Sequence, residues 1–184
     1  MVKLYEDPDF IKLQDAIDMD LSEKVRERGC VHCGSKLHCG DYERKARKVD
    51  CWNKRYSFNC SVCRKRHTPP SVRFLGRRVY AGVIVVLAGA MMHGPSAQRL
   101  GILGETLGVD LRTLKRWRQW WLDVFVKSPF WKAGRGSFLP PVAEGSMPYC
   151  LYVSFGAMAH EGLSRLMRFL SPITVAGGLE GLAM

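Results

Sequence analysis

Two pairs of cysteines, Cys30-Val31-His32-Cys33 and Cys60-Ser61-Val62-Cys63, constrain this chain more than any other feature. Two C-x-x-C knuckles on one short basic segment can close a tetrahedral set of four thiolates around one structural zinc ion. Such an ion holds together a unit too small to bury much apolar surface. The 26 residues between the knuckles leave room for a hairpin. Gly34, directly after the first knuckle, suits the tight turn that aims backbone N–H groups at sulfur.

Other readings of these cysteines fit less well. A redox C-x-x-C wants a βαβ pattern beside it, and neither pair has one. Disulfides belong to oxidising compartments, and the first ten residues carry Glu6, Asp7 and Asp9 rather than a basic and then apolar leader. An odd count of seven cysteines also favours a reduced cytoplasm. Cys39, Cys51 and Cys150 are left over and read as small buried apolar residues. The alternative is that Cys39, Cys51, His32, His38 or His67 displaces one knuckle cysteine as a ligand.

Charge is unevenly spread along the 184 residues. Residues 1–29 carry five Lys/Arg against eight Asp/Glu, residues 30–80 carry thirteen against three, and the remainder ten against six. The net +10 on the middle segment therefore accounts for nearly all of the chain's +11. Concentrated positive charge attracts a polyanion, with nucleic acid as the default. An anionic membrane surface is a poorer match, because the cations sit in a knuckle and hairpin rather than on an amphipathic helix. The longest apolar stretch, Val79–Met92, falls short of the ~20 residues a spanning helix needs, so the expectation is a cytoplasmic protein without a membrane segment.

These signals give a mostly α chain with a small β zinc ribbon. Residues 1–29 form an N-terminal helical segment of one or two short helices, and 30–70 form the ribbon, with two or three short antiparallel strands bearing Tyr42, Val49, Trp52, Tyr56 and Phe58. Residues 71–126 form a helix-turn-helix unit of three helices: 77–92, one starting at Gly94-Pro95-Ser96, and Leu111 to about Phe125 capped by Asp110. Residues 127–148, rich in Pro and Gly, are an irregular connection. A helix over roughly 149–170 and a frayed tail from Ser171 complete the C-terminal extension.

On a helical wheel Leu111, Leu114, Trp117, Trp121 and Phe125 share one side of the 111–125 helix. Arg112 and Arg116 centre the opposite side with Gln119, and Thr113 and Lys115 flank them. A helix that packs a Leu/Trp stripe and offers Arg and Thr near its N-terminus is what major-groove reading requires. Arg112 and Arg116 suit two-pronged contacts with guanine, whereas Lys115 and Gln119 suit the phosphate backbone. Arg118 falls toward the apolar side, its stem along the core. In the ribbon Arg44, Lys45, Arg47, Lys48, Lys54, Arg55, Arg64, Lys65 and Arg66 form a strip for phosphate.

The run from Cys30-Val-His-Cys33-Gly34 through Asp41–Lys45, Arg55–Cys60 and Cys63–Leu75 resembles bacterial proteins encoded with mobile elements. Followed by Gly108-Val-Asp-Leu-Arg-Thr-Leu-Lys-Arg-Trp117, it is similar to the N-terminal DNA-binding part of insertion-sequence transposases. Pro129-Phe130-Trp131, Phe138–Val142 and Arg168–Pro172 extend the likeness over most of the chain from residue 30. The resemblance implies association with a transposon and the bacterial nucleoid, and double-stranded DNA as partner, with a transposase or a second copy as further candidates. Strand transfer uses a carboxylate triad holding metal ions. From residue 123 onward only Asp123, Glu144, Glu161 and Glu180 are acidic, in too short a stretch to house such a domain. The expectation is a non-catalytic DNA-binding protein, with no catalytic residues and no small-molecule substrate. Two alternatives compete with it: an RNA- or ribosome-associated ribbon that stacks bases on Tyr42, Trp52 and Tyr56, rings that read first as the ribbon's own small core, and a protein–protein adaptor using the Trp-rich C-terminal half, where Trp120 sits off the main stripe.

Overall fold

Helix α1 (Pro8–Arg28) opens the computed structural model, which describes residues 8–45, 52–74 and 110–175, with the backbone alone at Lys45, Trp52 and Asn53. The expected helices over 77–92 and from 94 onward, and with them the first part of the helix-turn-helix, lie outside these residues. Pro8 at the first turn, Asp9 beside it and Arg26 and Arg28 in the last turn suit the helix dipole at both ends. Phe10, Gln14, Ile17, Asp18 and Ser22 form its buried face. That is one continuous helix where one or two short ones were expected.

Five short strands follow among the described residues: β1 (Leu37–Cys39), β2 (Tyr42–Lys45), β3 (Trp52–Arg55), β4 (Phe58–Cys60) and β5 (Arg66–His67). β1, β4 and β5 form one antiparallel sheet in the order β1-β4-β5, and β2 and β3 pair as a separate hairpin. Leu37 lies opposite Cys60, and Phe58 opposite His67. The strand count exceeds the two or three expected because each strand is only two to four residues long.

Helix α2 (Leu111–Gln119) begins as expected at Asp110, whose carboxylate accepts from Thr113 N at 2.8 Å and Thr113 Oγ1 at 2.8 Å. It continues into a π-helical stretch, Trp120–Phe125. Its stripe is buried at Leu114, Trp117, Trp121 and Phe125, but Leu111 and Arg118 are exposed. Arg118 therefore extends to solvent rather than along the core, and Leu111 sits too near the helix start to be covered.

The expected irregular connection contains α3 (Pro129–Gly134), capped by Ser128. The expected 149–170 helix is two helices, α4 (Tyr149–Ser154) and α5 (His160–Leu170). Gly156 breaks them with a left-handed φ of 62°. Gly162 in α5 then packs so close that a Cβ would fall 2.2 Å from Gly156 O and 2.3 Å from Phe155 O. Gly162→Ala should destabilise the protein by about 1–3 kcal/mol through overpacking against backbone. Gly136→Ala, with no atom within 4 Å of its new Cβ, is the neutral control in the same thermal melts. The frayed reading of the tail fails for its described residues, 171–175, and the remainder of that stretch lies outside them. Residues Ser171–Thr174 form a buried 3-10 turn, and Thr174 Oγ1 accepts from Ser71 N at 2.9 Å.

Two hydrophobic clusters result among the described residues. The larger joins α1, Val72, Phe74, α2 and the C-terminal helices around Trp121 and Trp131. The smaller comprises Cys30, Leu37, Phe58 and Cys60, with Val25 and Cys63 packed on it. Helix α1 belongs to both, since Phe10 and Ile17 enter the first and Val25 the second. The acidic N-terminal segment is thus a strut between ribbon and helices. Among the described residues helix outweighs strand, and no described helix is long and apolar enough to cross a membrane.

Candidate metal centre

Helix α1 delivers the first cysteine directly. Gly29 ends the helix with φ 75° and its N–H on Arg26 O, a left-handed cap that suits glycine. A Cβ at Gly29 would also meet Gly34 O at 3.2 Å. The knuckle then closes through Cys30 N→Ser35 O (2.9 Å) and Gly34 N→Cys30 O (2.8 Å), with Gly34 at φ 70°. The glycine's N–H therefore serves the Cys30 carbonyl rather than a sulfur. At the second knuckle Cys60 N bonds Lys65 O at 3.0 Å, and Arg64 takes the left-handed position with φ 60°. The β1–β4 pairing lays the two knuckles side by side.

All four sulfurs, of Cys30, Cys33, Cys60 and Cys63, lie within 4.8 Å of one another and can hold one metal ion. The closest pairs are Cys33–Cys60 at 3.4 Å and Cys30–Cys63 at 3.5 Å. Cys30 and Cys60 are buried, Cys63 half-buried and Cys33 exposed. Hydrogen bonds from Ser35, side chain first and then backbone, hold the Cys33 thiol down at about 6. A backbone N–H of Lys65 favours the Cys63 thiolate, yet burial and the three neighbouring thiols outweigh it and push that thiol up to about 12. A backbone N–H of Cys63, with that of Val62, holds the Cys60 thiol down as well, so two thiolates are favoured and that of Cys63 is resisted, the imbalance that a cation relieves.

Of the alternative ligands, His32 and His38 are exposed and neither belongs to the four-sulfur group. His67 is buried, with Nε2 3.2 Å from Cys30 Sγ. Among the leftover cysteines Cys150 is buried as expected, and burial raises its thiol first of all. Cys39 is exposed, contrary to expectation, because it faces out from the end of an edge strand. Cys51 lies outside the described residues.

The residues expected to meet nucleic acid differ in where they lie. Arg64, Lys65 and Arg66 are exposed beside the cysteines, and Arg112, Lys115 and Arg116 are exposed on α2. Arg66 is held flat: its Cζ lies 4.8 Å from the Tyr42 ring centre and its Nε donates to Ser57 Oγ at 2.7 Å. Thr113 and Gln119 are engaged within their own helix, with Asp110 and Asp123 respectively. Arg44 is half-buried with its guanidinium 5.2 Å from the Phe74 ring centre.

Arg55 is a correction, since it is only 3% exposed and cannot lie on a phosphate strip. Its Nη2 donates to Pro69 O at 2.7 Å, and Nε and Nη1 have no hydrogen-bond partner among the described residues. Desolvation accordingly lowers its pKa. Arg47 and Lys48 lie outside the described residues, as does the side chain of Lys45.

The aromatics also depart from expectation. Tyr42 is exposed beneath Arg66, and Tyr56 is half-buried with Lys54 Nζ 5.1 Å from its ring centre, so neither forms a ribbon core. Leu37 and Phe58 fill that role. Trp120 packs partly buried against the larger cluster, edge-on to Trp121 at 4.9 Å between ring centres.

Sequence reasoning missed one network altogether. Asp18 on α1, 1% exposed, accepts from Ser71 Oγ (2.6 Å), Val72 N (2.7 Å) and Arg73 Nε (2.9 Å). Arg73 reaches on to Lys54 O at 2.7 Å and Asp15 at 3.0 Å, fastening the hairpin to the helix. The available signal was the position of Asp18 beside Ile17 on the apolar face of α1. Searches for known relatives returned no matching family model, no matching curated protein and no matching solved structure.

Proposed function

We propose that this chain is a non-catalytic, zinc-stabilised protein that binds double-stranded DNA in association with a mobile element. The observation that carries the reading is a closed four-cysteine group set inside a segment of net charge +10. Zinc is the metal the donor set selects, since tetrahedral four-sulfur sites are its usual structural form. With Zn–S near 2.3 Å, tetrahedral geometry asks for sulfur separations of about 3.8 Å. The closest sulfur pairs at 3.4 and 3.5 Å, and an outer limit of 4.8 Å, bracket that value.

Two cationic surfaces serve the DNA. Arg64, Lys65 and Arg66 hold phosphate beside the metal, and Arg112, Lys115 and Arg116 on α2 face the major groove while the Leu/Trp stripe anchors that helix in the core. Exposure of all six supports this division. Thr113 and Gln119 act by holding the helix rather than by reading bases. Two of the acidic side chains from residue 123 onward are engaged in structural contacts, which supports a non-catalytic role. Glu144 accepts from Trp131 Nε1 at 2.7 Å and pairs with Arg135 at 3.2 Å, and Asp123 accepts from Gln119. A transposase or a second copy of the chain is the candidate protein partner.

Duplex binding measured across salt concentrations tests the proposal. Replacing Arg64, Lys65 and Arg66 with Ala should weaken all duplexes alike and flatten the salt slope by up to about 0.9 for each phosphate no longer neutralised. Arg112→Ala and Arg116→Ala should each cost about 1–3 kcal/mol on a selected sequence and little on random duplex. Absence of duplex binding at low salt, or stronger competition by single-stranded RNA than by duplex, defeats the reading.

A further inference from the structure

We infer that His67 is a positioning residue of the zinc site, donating its Nε2–H to the Cys30 thiolate; this rests on the reading of Cys30, Cys33, Cys60 and Cys63 as zinc ligands. Three of the four sulfurs have a local hydrogen-bond donor. Ser35 serves Cys33, the Cys63 backbone N–H serves Cys60 at 3.4 Å, and the Lys65 backbone serves Cys63. Cys30 has beside it instead the His67 ring, from 37 residues further along the chain, with Nε2 3.2 Å from its Sγ. His67 lies on β5, paired with Phe58 of β4, and the β1–β4–β5 sheet sets that ring against the first knuckle. The His32 ring covers it, 5.7 Å away centre to centre.

The chemistry follows from charge. Four thiolates on a divalent cation leave the site net negative, and N–H donors spread that charge and lower the nucleophilicity of the sulfurs they reach. Cys30 and His67 are both buried, so water does not readily take the donor's place. Through this bond the end of the ribbon senses its beginning. The metal site is complete only when β5 is paired.

The test uses the full chain loaded with Zn²⁺, and in parallel with Co²⁺. His67→Phe keeps a buried ring but removes the donor, whereas His67→Gln offers an amide N–H near the position of Nε2. Zinc affinity should fall roughly 10- to 100-fold in His67→Phe and recover substantially in His67→Gln. Iodoacetamide labelling followed by peptide mapping should show Cys30 of the zinc-loaded His67→Phe protein alkylated several-fold faster, with Cys33, Cys60 and Cys63 unchanged. The Co²⁺ charge-transfer intensity should remain that of four thiolates in both variants.

Equal acceleration at all four cysteines would mark simple loosening and overturn the inference, as would unchanged affinity in His67→Phe. A wild-type spectrum of three thiolates and one nitrogen would make His67 a ligand and overturn it too. Wild-type protein that takes up no metal would instead defeat the zinc reading itself.

Discussion

Removal of the metal proposed for the four-cysteine group should unfold the ribbon while leaving the helical core assembled. Chelation, or Cys60→Ser, should abolish amide dispersion for residues 30–67 in NMR spectra. The near-UV signal of Trp117, Trp121 and Trp131, which belong to the other cluster, should persist. Among the described residues the small cluster buries only Leu37 and Phe58 besides cysteines, with Val25 packed partly buried on it, each fully buried side chain contributing roughly 1.5–3 kcal/mol. Ordering backbone costs about 1–2 kcal/mol per residue, so two such side chains cannot fix a segment of this length. A structural zinc site supplies on the order of 10–16 kcal/mol in apparent terms at neutral pH.

Metal analysis should give one zinc per chain, retained in Cys39→Ser because that exposed cysteine stands outside the four-sulfur group. Affinity should fall on acidification, since binding displaces thiol protons. The sign agrees with Cys33. Its thiol is depressed from 9.0 to about 6, so its contribution is complete above pH 9 and lost as the pH falls through about 6. A metal-free protein with residues 30–67 still folded would overturn the prediction.

What the amino-acid pattern revealed was local. Each knuckle is four residues long, and its glycine or left-handed turn follows at once, so the metal group could be read without knowing the fold. The α2 stripe was equally legible, because a 3.6-residue period and an Asp cap act within one helix. What escaped depends on partners distant in sequence. Arg55 looks like any cation in a basic strip until Phe74 and Pro69 close over it. Tyr42 looks like core until the hairpin turns it outward under Arg66. The pattern predicts a single 149–170 helix because Gly156 and Gly162 each cost a helix only about 1 kcal/mol; the break comes from the left-handed turn that brings them into contact. The acidic surface of α1 concealed Asp18 in the same way, since a charge on a net-negative helix ordinarily faces water.

Asp18→Ala should cost about 3–5 kcal/mol, the usual penalty for stripping one partner from a buried charged pair. Three donors lose their acceptor at once: Ser71 Oγ, Val72 N and Arg73 Nε. Arg73, itself 5% exposed, would keep Asp15, which is half-open to solvent and a weaker counter-charge. Thermal melting in excess zinc checks the size, with a fall of roughly 2–4 °C per kcal/mol expected for a chain of this length. A double-mutant cycle identifies the cause. Arg73→Met alone should also destabilise, because it abandons Asp18 and the Lys54 carbonyl, but adding it to Asp18→Ala should cost about 0.5–3 kcal/mol less than its effect in the wild-type chain. Hydrogen exchange should quicken at Val72 and Phe74 before it quickens around Trp131, since the network joins the end of the ribbon to α1. Strictly additive effects, or an Asp18→Ala protein as stable as wild type, would show that α1 is held by apolar contacts alone. In that case the ribbon's placement against the helices would not depend on the buried carboxylate.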